Sequence, residues 1–333
     1  MMGSIVVWRF RDGKRGHENQ TRGLVQALER LAPIASSDIP VTPGLSHSLG
    51  ALFGRPFRTN RLPDPDLLIG AGHGTHLPLL AGAHARGGRT VVLMKPTLPI
   101  RWFDLCVIPA HDGVRPRANV FTTRGVLNPM TYHPHREGSK TGLLLIGGPS
   151  RHHGWDEEAL FRQIDAIVAR ESETTWIATT SRRTPPSTTH ALMGRQWKNL
   201  RSIPCADTPD GWLSEQLARA RTAWVTEDSV SMIYEALTSG APTGILSVPR
   251  RVATRVSLGV DQLVADGLVT GFSHWHGYRE KGDFRGGEAH AGRNAPSAPA
   301  RSLGASPDSP SRGPFDEAAR CARWLLDQWF ANR

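Results

Sequence analysis

Apolar residues arrive along this chain in short bursts, and their spacing alternates between two characters. Compact aliphatic runs, the pattern of strands buried on both faces, fall at residues 4–10, 66–70, 90–94, 103–108 and 119–123, then at 141–146, 174–179, 200–203, 222–225 and 244–248. Between several of them the recurrence lengthens to three and four, which predicts helices over 21–31, 77–85, 156–170, 212–220, 230–239 and 258–265. Parallel neighbours need a crossover, so the repeated strand, loop and helix predicts an α/β fold with parallel sheets. The stretch from Thr42 to Asn60 carries no clear pattern, and the turn-rich residues 129–140 read as a linker. Two Rossmann-like domains are therefore expected, at 1–135 and 141–273. Residues 274–314 are so rich in Gly, Ser, Pro, Ala and Arg that little apolar surface offsets the entropy of ordering them, and a disordered insertion is expected there. Beyond it, 315–333 recovers a helix with Ala319, Ala322, Leu325, Leu326 and Trp329 on one face. Crossing back onto the first domain would give that face a partner.

Open parallel sheets bind ligands beyond the carboxyl ends of their strands, so the loops there carry the candidate chemistry. In the first half, RDGKRGHENQ sets Asp12, Lys14, His17, Asn19 and Gln20 around Gly13 and Gly16; AGHGTH adds His73 and His76, KPTLP adds Lys95, and PAHD adds His111 and Asp112. GKRG is not a phosphate-binding Walker loop, since no GK[ST] follows, and it lacks the third glycine of the dinucleotide fingerprint. The histidines with Asp112 raise a metal-hydrolase reading, but no HExxH or HxH spacing fixes them, and no metal is expected. Asp64-Pro65-Asp66 has the form of a DxD metal motif, yet it precedes a strand, where turn chemistry explains it better.

In the second half the densest stretch is VTEDSVSMIYEALTSGAP, residues 225–242. Met232, Ile233, Ala236 and Leu237 mark a short helix that Gly240 and Pro242 stop. Asp228 and Ser229 stand at its start with Ser231 just inside, where free N–H groups and the helix dipole favour an anion such as a phosphate. Glu235 lies on a later turn, suited to a ribose diol. An N-cap box with a solvated glutamate would leave the same pattern. Ser181, Arg182 and Arg183 end another strand, and the guanidinium forks suit a diphosphate, although surface solubility explains them too.

Charge and composition narrow the partners. The net charge is +10, with 40 Lys and Arg against 30 Asp and Glu, which favours an anionic partner. Only five of the basic residues are Lys, as a compositional bias toward Arg would give, and no basic block is interleaved with aromatics; no nucleic-acid partner is expected. Three scattered cysteines form neither a disulfide framework nor a CxxC site. No apolar run approaches the roughly 18 residues of a membrane span. MMGSIVVWRF lacks the features of a secretory signal, so a cytoplasmic protein is expected.

Seven blocks taken together, DGKRGHENQ, GAGHGTHLPLL, VVLMKPTLP, FDLCVIPAHD, LIGGPS, TTSRRTP and EDSVSMIYEALTSGAP, resemble the bacterial branch of the ELM-type family, over residues 5 to about 272 and the last helix. Residues 277–313 depart from the family pattern. Its plant members are described as mitochondrial fission factors, its bacterial members as nucleoside-diphosphate-sugar epimerases or glycosyltransferases of surface-glycan synthesis. The resemblance implies a GT-B-like fold: two facing Rossmann-like domains with parallel sheets, and a C-terminal helix crossing back to the first. It implies a nucleotide-sugar held by the second domain, with Gly147, Gly148 and Ser150 as the glycine loop near the diphosphate, Ser229 and Ser231 beside the phosphate-facing helix start, and Glu235 on the ribose; Ser181, Arg182, Arg183 and Asp228 complete the nucleotide-sugar-binding residues expected here. It makes the first half the acceptor side, with His17, or Asp12 in its place, as the base. The expected activity is metal-independent transfer of a sugar from a nucleotide diphosphate to a hydroxyl of a glycan or glycolipid acceptor, in surface-glycan or lipopolysaccharide-core synthesis. No cofactor beyond the donor substrate is expected, and peripheral association with the inner membrane face would fit such an acceptor. An epimerase on the same scaffold and a non-catalytic membrane-surface adaptor are the alternatives.

Overall fold

The computed structural model describes residues 4–41, 62–134, 138–252, 254–275 and 314–331. The chain divides into two compact units, residues 1–131 with 316–333, and residues 132–315.

The first unit is built on β1 (Ile5–Arg11), β2 (Ile34–Pro40), β3 (Leu67–Ala71), β4 (Arg89–Leu93), β5 (Leu105–Pro109) and β6 (Val120–Thr123), paired in the order β2-β1-β3-β4-β5-β6. Every pairing is parallel. Side chains alternate across β1. Ile5 and Val7 join Leu24 and Leu28 of α1 (Arg15–Glu29) on one face, while Trp8 and Phe10 join Leu79 of α2 (His76–Arg86) on the other. Burial on both faces is why these strands read as unbroken apolar runs.

The C-terminal helix, α8 (Glu317–Trp329), packs on the α1 face and buries Ala318, Cys321, Ala322 and Leu325 in that core. Its start is pinned by a carboxylate. Glu317, 2% exposed, accepts Arg124 N–H and Nε at 2.9 Å each and Arg320 Nη2 at 2.6 Å. Asp316 caps the helix through Ala319 N–H at 2.8 Å.

Strand β2 is absent from the pattern-based reading. It is an edge strand in full register with β1, from Ile5↔Ile34 to Arg11↔Pro40, and its sequence IASSDIP is half polar. Asp38 binds Arg9 Nε at 2.6 Å and Arg11 Nη1 at 3.2 Å, so backbone pairing and ion pairs hold a strand that leaves little apolar trace. The Asp64-Pro65-Asp66 triplet is structural: Asp64 accepts from Arg86 Nε at 2.5 Å and Asp66 from Val6 N–H at 2.9 Å. Residues 42–61, nearly all of the insertion expected at 274–314, and most of the linker's centre at 135–137 lie outside the described residues.

The second unit contains β7 (Thr141–Leu145), β8 (Thr175–Thr179), β9 (Leu200–Ile203), β10 (Thr222–Thr226), β11 (Thr243–Leu246) and β12 (Thr270–Gly271), again all parallel, in the order β12-β11-β10-β7-β8-β9. The helices are α3 (Glu157–Arg170), α4 (Pro186–Gly194), α5 (Trp212–Arg219), α6 (Val230–Ser239) and α7 (Arg255–Ala265). Leu144, Ile146, Leu160, Phe161, Ile164, Trp176 and Trp224 centre its core. Helix α4, PSTTHALMG, was not expected because it has almost no apolar stripe. In both units the strand order reverses once, between β1 and β3 in the first and between β7 and β10 in the second. A crevice opens at such a reversal because the crossover helices leave on opposite faces.

Candidate active site

At the first unit's reversal the end of β1 delivers Asp12, and the first turn of α1 delivers His17. Asp12 Oδ2 and His17 Nδ1 are 2.7 Å apart. Sequence reasoning treated these two as alternatives, whereas the structure makes them one dyad. The loop between them is braced: Asp12 Oδ1 accepts Lys14 N–H at 3.1 Å, while Glu18, which the sequence reading passed over, accepts Gly13 N–H at 3.2 Å and Arg11 Nη2 at 2.8 Å. Beyond β3, Gly72 takes φ +78°, and a Cβ there would overlap the His17 ring. Glycine alone leaves the imidazole its slot. With Nδ1 engaged by a carboxylate, Nε2 is the nitrogen left to take a proton, and the carboxylate stabilises the imidazolium that forms.

The remaining first-unit candidates scatter. Lys14, His73 and Lys95 are exposed, and His111 and Asp112 are half-buried in a short turn after β5. Asn19 accepts from Arg22 at 2.8 Å. Gln20 and His76 are buried. His76, 2% exposed, lies 3.3 Å from Thr97 Oγ1 and edge-on to Phe103. Burial, with His73 nearby, pushes its pKa down to about 4, so it is a neutral strut under the β4 loop. Met94, where that loop begins, holds φ +72°, a strained value for a non-glycine residue. Among the described residues no group of three or more His, Cys, Asp or Glu is arranged to hold a metal.

At the second unit's reversal, one carboxylate oxygen organises the loops. Asp228 Oδ2 accepts Gly148 N–H at 3.0 Å, Arg183 Nη2 at 2.7 Å and Ser229 Oγ at 3.0 Å. Arg183 also donates to Gly148 O at 2.8 Å. The glycines are required by this closeness: a Cβ on Gly147 would overlap Ser229 Oγ, and one on Gly148 would overlap Arg183 O. Ser229 is the N-cap residue of α6, but its hydroxyl is turned to Asp228 and caps nothing. The protein's own carboxylate draws in donors of the kind a phosphate would use, and Ser229 is buried. Ser150 Oγ accepts the His152 and His153 N–H groups at 3.2 and 3.0 Å. Ser181 Oγ accepts Arg183 N–H at 3.2 Å and shapes its turn. Arg182 and Ser231 are exposed, Arg183 is 44% exposed along its side chain, and Glu235 sits half-buried on α6 one turn beyond Ser231.

Three residues of this crevice escaped sequence reasoning. Glu227, buried beside Asp228, pairs with Arg250, which also holds Asp261 at 2.6 and 2.9 Å; His153 is buried next to both carboxylates. The adjacent acids of TEDS were a visible signal for Glu227. Nothing local marked His153 or Arg250, because loops far apart in sequence bring them together. Among the described residues no helix is long and apolar enough to cross a membrane.

The fold has solved counterparts. A UDP-N-acetylglucosamine 2-epimerase aligns over 100% of this chain and 98% of its own at TM-score 0.54 and 15% identity. The UDP-GlcNAc 2-epimerase of Methanocaldococcus jannaschii aligns over 98% and 100% at TM-score 0.52 and 11% identity. At such identities the likeness concerns the GT-B-like fold alone. In sequence, an uncharacterized protein of Rickettsia prowazekii (strain Madrid E) is 23% identical over 262 residues, covering 64% of this chain and 73% of that protein. The model of the mitochondrial fission ELM1 family matches residues 15–329, both units and the C-terminal helix. By that match, with the doubled parallel α/β architecture beneath it, the chain belongs to the mitochondrial fission ELM1 family.

Proposed function

We propose that the chain is a nucleotide-sugar enzyme that transfers a glycosyl group to an acceptor hydroxyl, with the Asp12–His17 pair as its base. The observation that carries this is the 2.7 Å contact of His17 Nδ1 with Asp12 at a sheet reversal, which leaves Nε2 to act. In an inverting displacement Nε2 takes the acceptor's proton while the acceptor oxygen bonds to the anomeric carbon. The bond from that carbon to the diphosphate oxygen breaks, and its electron pair leaves with the nucleoside diphosphate. The second unit supplies the donor groups: N–H groups at the uncapped start of α6, the exposed Arg182 and half-exposed Arg183 for the diphosphate, and Glu235 for the ribose. The guanidinium groups take the part a divalent cation plays in other transferases. A glycan or glycolipid acceptor, with peripheral association at the cytoplasmic face of a membrane, fits the net charge of +10.

A second reading is epimerisation of the sugar, favoured by the named activity of the solved structures that align over nearly the whole chain. The same dyad would then move a proton on the sugar. Thermal shift against UDP, GDP, CDP, CMP and ADP, with and without a divalent cation, tests the shared premise, since a ligand of the folded state raises the melting temperature. A flat screen on folded protein would overturn both readings and favour an adaptor. Incubating the matching nucleotide-sugar alone then separates them, because only an epimerase changes the sugar without an acceptor.

A further inference from the structure

Among the loops at the second unit's sheet reversal, two buried side-chain atoms have no partner. The loops after β7 and β11 are zipped together by Arg251 N–H to His152 O at 2.9 Å, Gly154 N–H to Pro249 O at 2.7 Å, and an isolated bridge between His153 and Arg250. This carries His153 inward to 4% exposure, within the electrostatic reach of Glu227 and Asp228. Glu227 is satisfied by Arg250, and Asp228 Oδ2 by three donors. Asp228 Oδ1 and His153 Nε2 have no partner. Leaving such an atom unmatched is costly, and native structures match them with water or ligand.

The chemistry of the two atoms restricts what can fill the gap. A carboxylate oxygen only accepts, and Asp228 is ion-paired with Arg183. A phosphate oxygen also only accepts, so a diphosphate cannot satisfy Oδ1. Burial holds His153 below the usual imidazole range against the opposing pull of Glu227 and Asp228; a neutral ring carries no charge for an anion. A hydroxyl or an amide N–H, by contrast, donates to Oδ1, and a neutral ring with its proton on Nε2 is matched by a hydroxyl or an amide oxygen. We infer that Asp228 Oδ1 and His153 Nε2 read a hydroxyl or amide of the glycosyl group, leaving the phosphates to the start of α6 and Arg183. The inference rests on the nucleotide-sugar reading and adds to it the residues that select the sugar.

The test compares nucleoside diphosphates with their sugar derivatives. Wild type, His153→Ala and His153→Gln are titrated calorimetrically with UDP, GDP, CDP and ADP, and with the glucose, galactose, mannose and N-acetylglucosamine derivatives of whichever binds. Wild type is expected to bind one sugar derivative about tenfold more tightly than its parent diphosphate, the size of one well-made hydrogen bond. His153→Ala should erase that ratio with the parent's affinity kept, and His153→Gln, which retains a donor, should recover part of it. Should His153→Ala fail to fold, the reduced ratio in His153→Gln carries the result. A ratio that survives in both variants, or is absent in wild type, means trapped water only and sinks the proposal. Absence of any nucleotide binding by wild type instead brings down the nucleotide-sugar reading itself, and this inference with it.

Discussion

His17 draws its chemistry from three neighbours: Asp12 on Nδ1, Glu18 bracing the loop, and Gly72 leaving room for the ring. Asp12→Asn should therefore lower kcat of the proposed transfer about 10²–10⁴-fold, with nucleoside diphosphate affinity unchanged in calorimetry. An equal loss of affinity would show the loop had collapsed rather than the base been weakened. Gly72→Ala adds a Cβ where the ring lies and forces alanine to φ +78°. It should cost about 1 kcal/mol or more of stability by denaturant titration and displace His17, with kcat falling further than the stability loss explains. Normal turnover in Gly72→Ala would remove His17 from the mechanism. At this scale the residue types of the site were legible, because polar loops at strand ends stand out from apolar runs. Their pairing was not: Asp12 and His17 looked like alternatives, His76 like a cleft residue, and Ser229 like a phosphate ligand, since side-chain direction depends on packing that no spacing encodes.

At the scale of elements, α8 depends on one buried carboxylate. Burial raises the Glu317 pKa, but hydrogen bonds from Arg320 and the Arg124 N–H outweigh it, and the net direction is down. A lowered carboxylate contributes stability that is complete above its unfolded value, about 4.5, and fades as pH falls through the lower folded value. Urea midpoints of wild type should thus hold near neutrality and drop below about pH 4.5, whereas Glu317→Gln, already weakened at pH 7, should drop less over that window. Parallel curves would show that other groups dominate. Helices with a strong apolar stripe, α1, α3 and α8, were legible in outline from periodicity. Strand β2 and helix α4 were not, because Ser36 and Asp38 are exposed on an edge strand and PSTTHALMG has almost no apolar stripe.

For the whole molecule, the C-terminal helix closes the first unit's core although residues 132–315 lie between them in sequence. Leu325 is fully buried there, so Leu325→Ala should cost roughly 2–5 kcal/mol, read as a lowered melting transition of the first unit with the second unit's transition unmoved. A uniform shift of the whole melting curve would show that the two units unfold together. By itself the sequence determined the α/β class, the two successive sheets and the loops that carry chemistry, because buried parallel strands and amphipathic helices must write their periodicity into neighbouring residues. Only the tertiary structure decided that Asp12 and His17 are partners, that Asp228 takes the donors expected for a phosphate, and that His153 bridges to Arg250. Asp12 and His17 stand only five positions apart, where spacing leaves side-chain direction open, whereas Asp228 meets Gly148 across 80 positions, and a local pattern carries no information about which distant loop its side chains will meet.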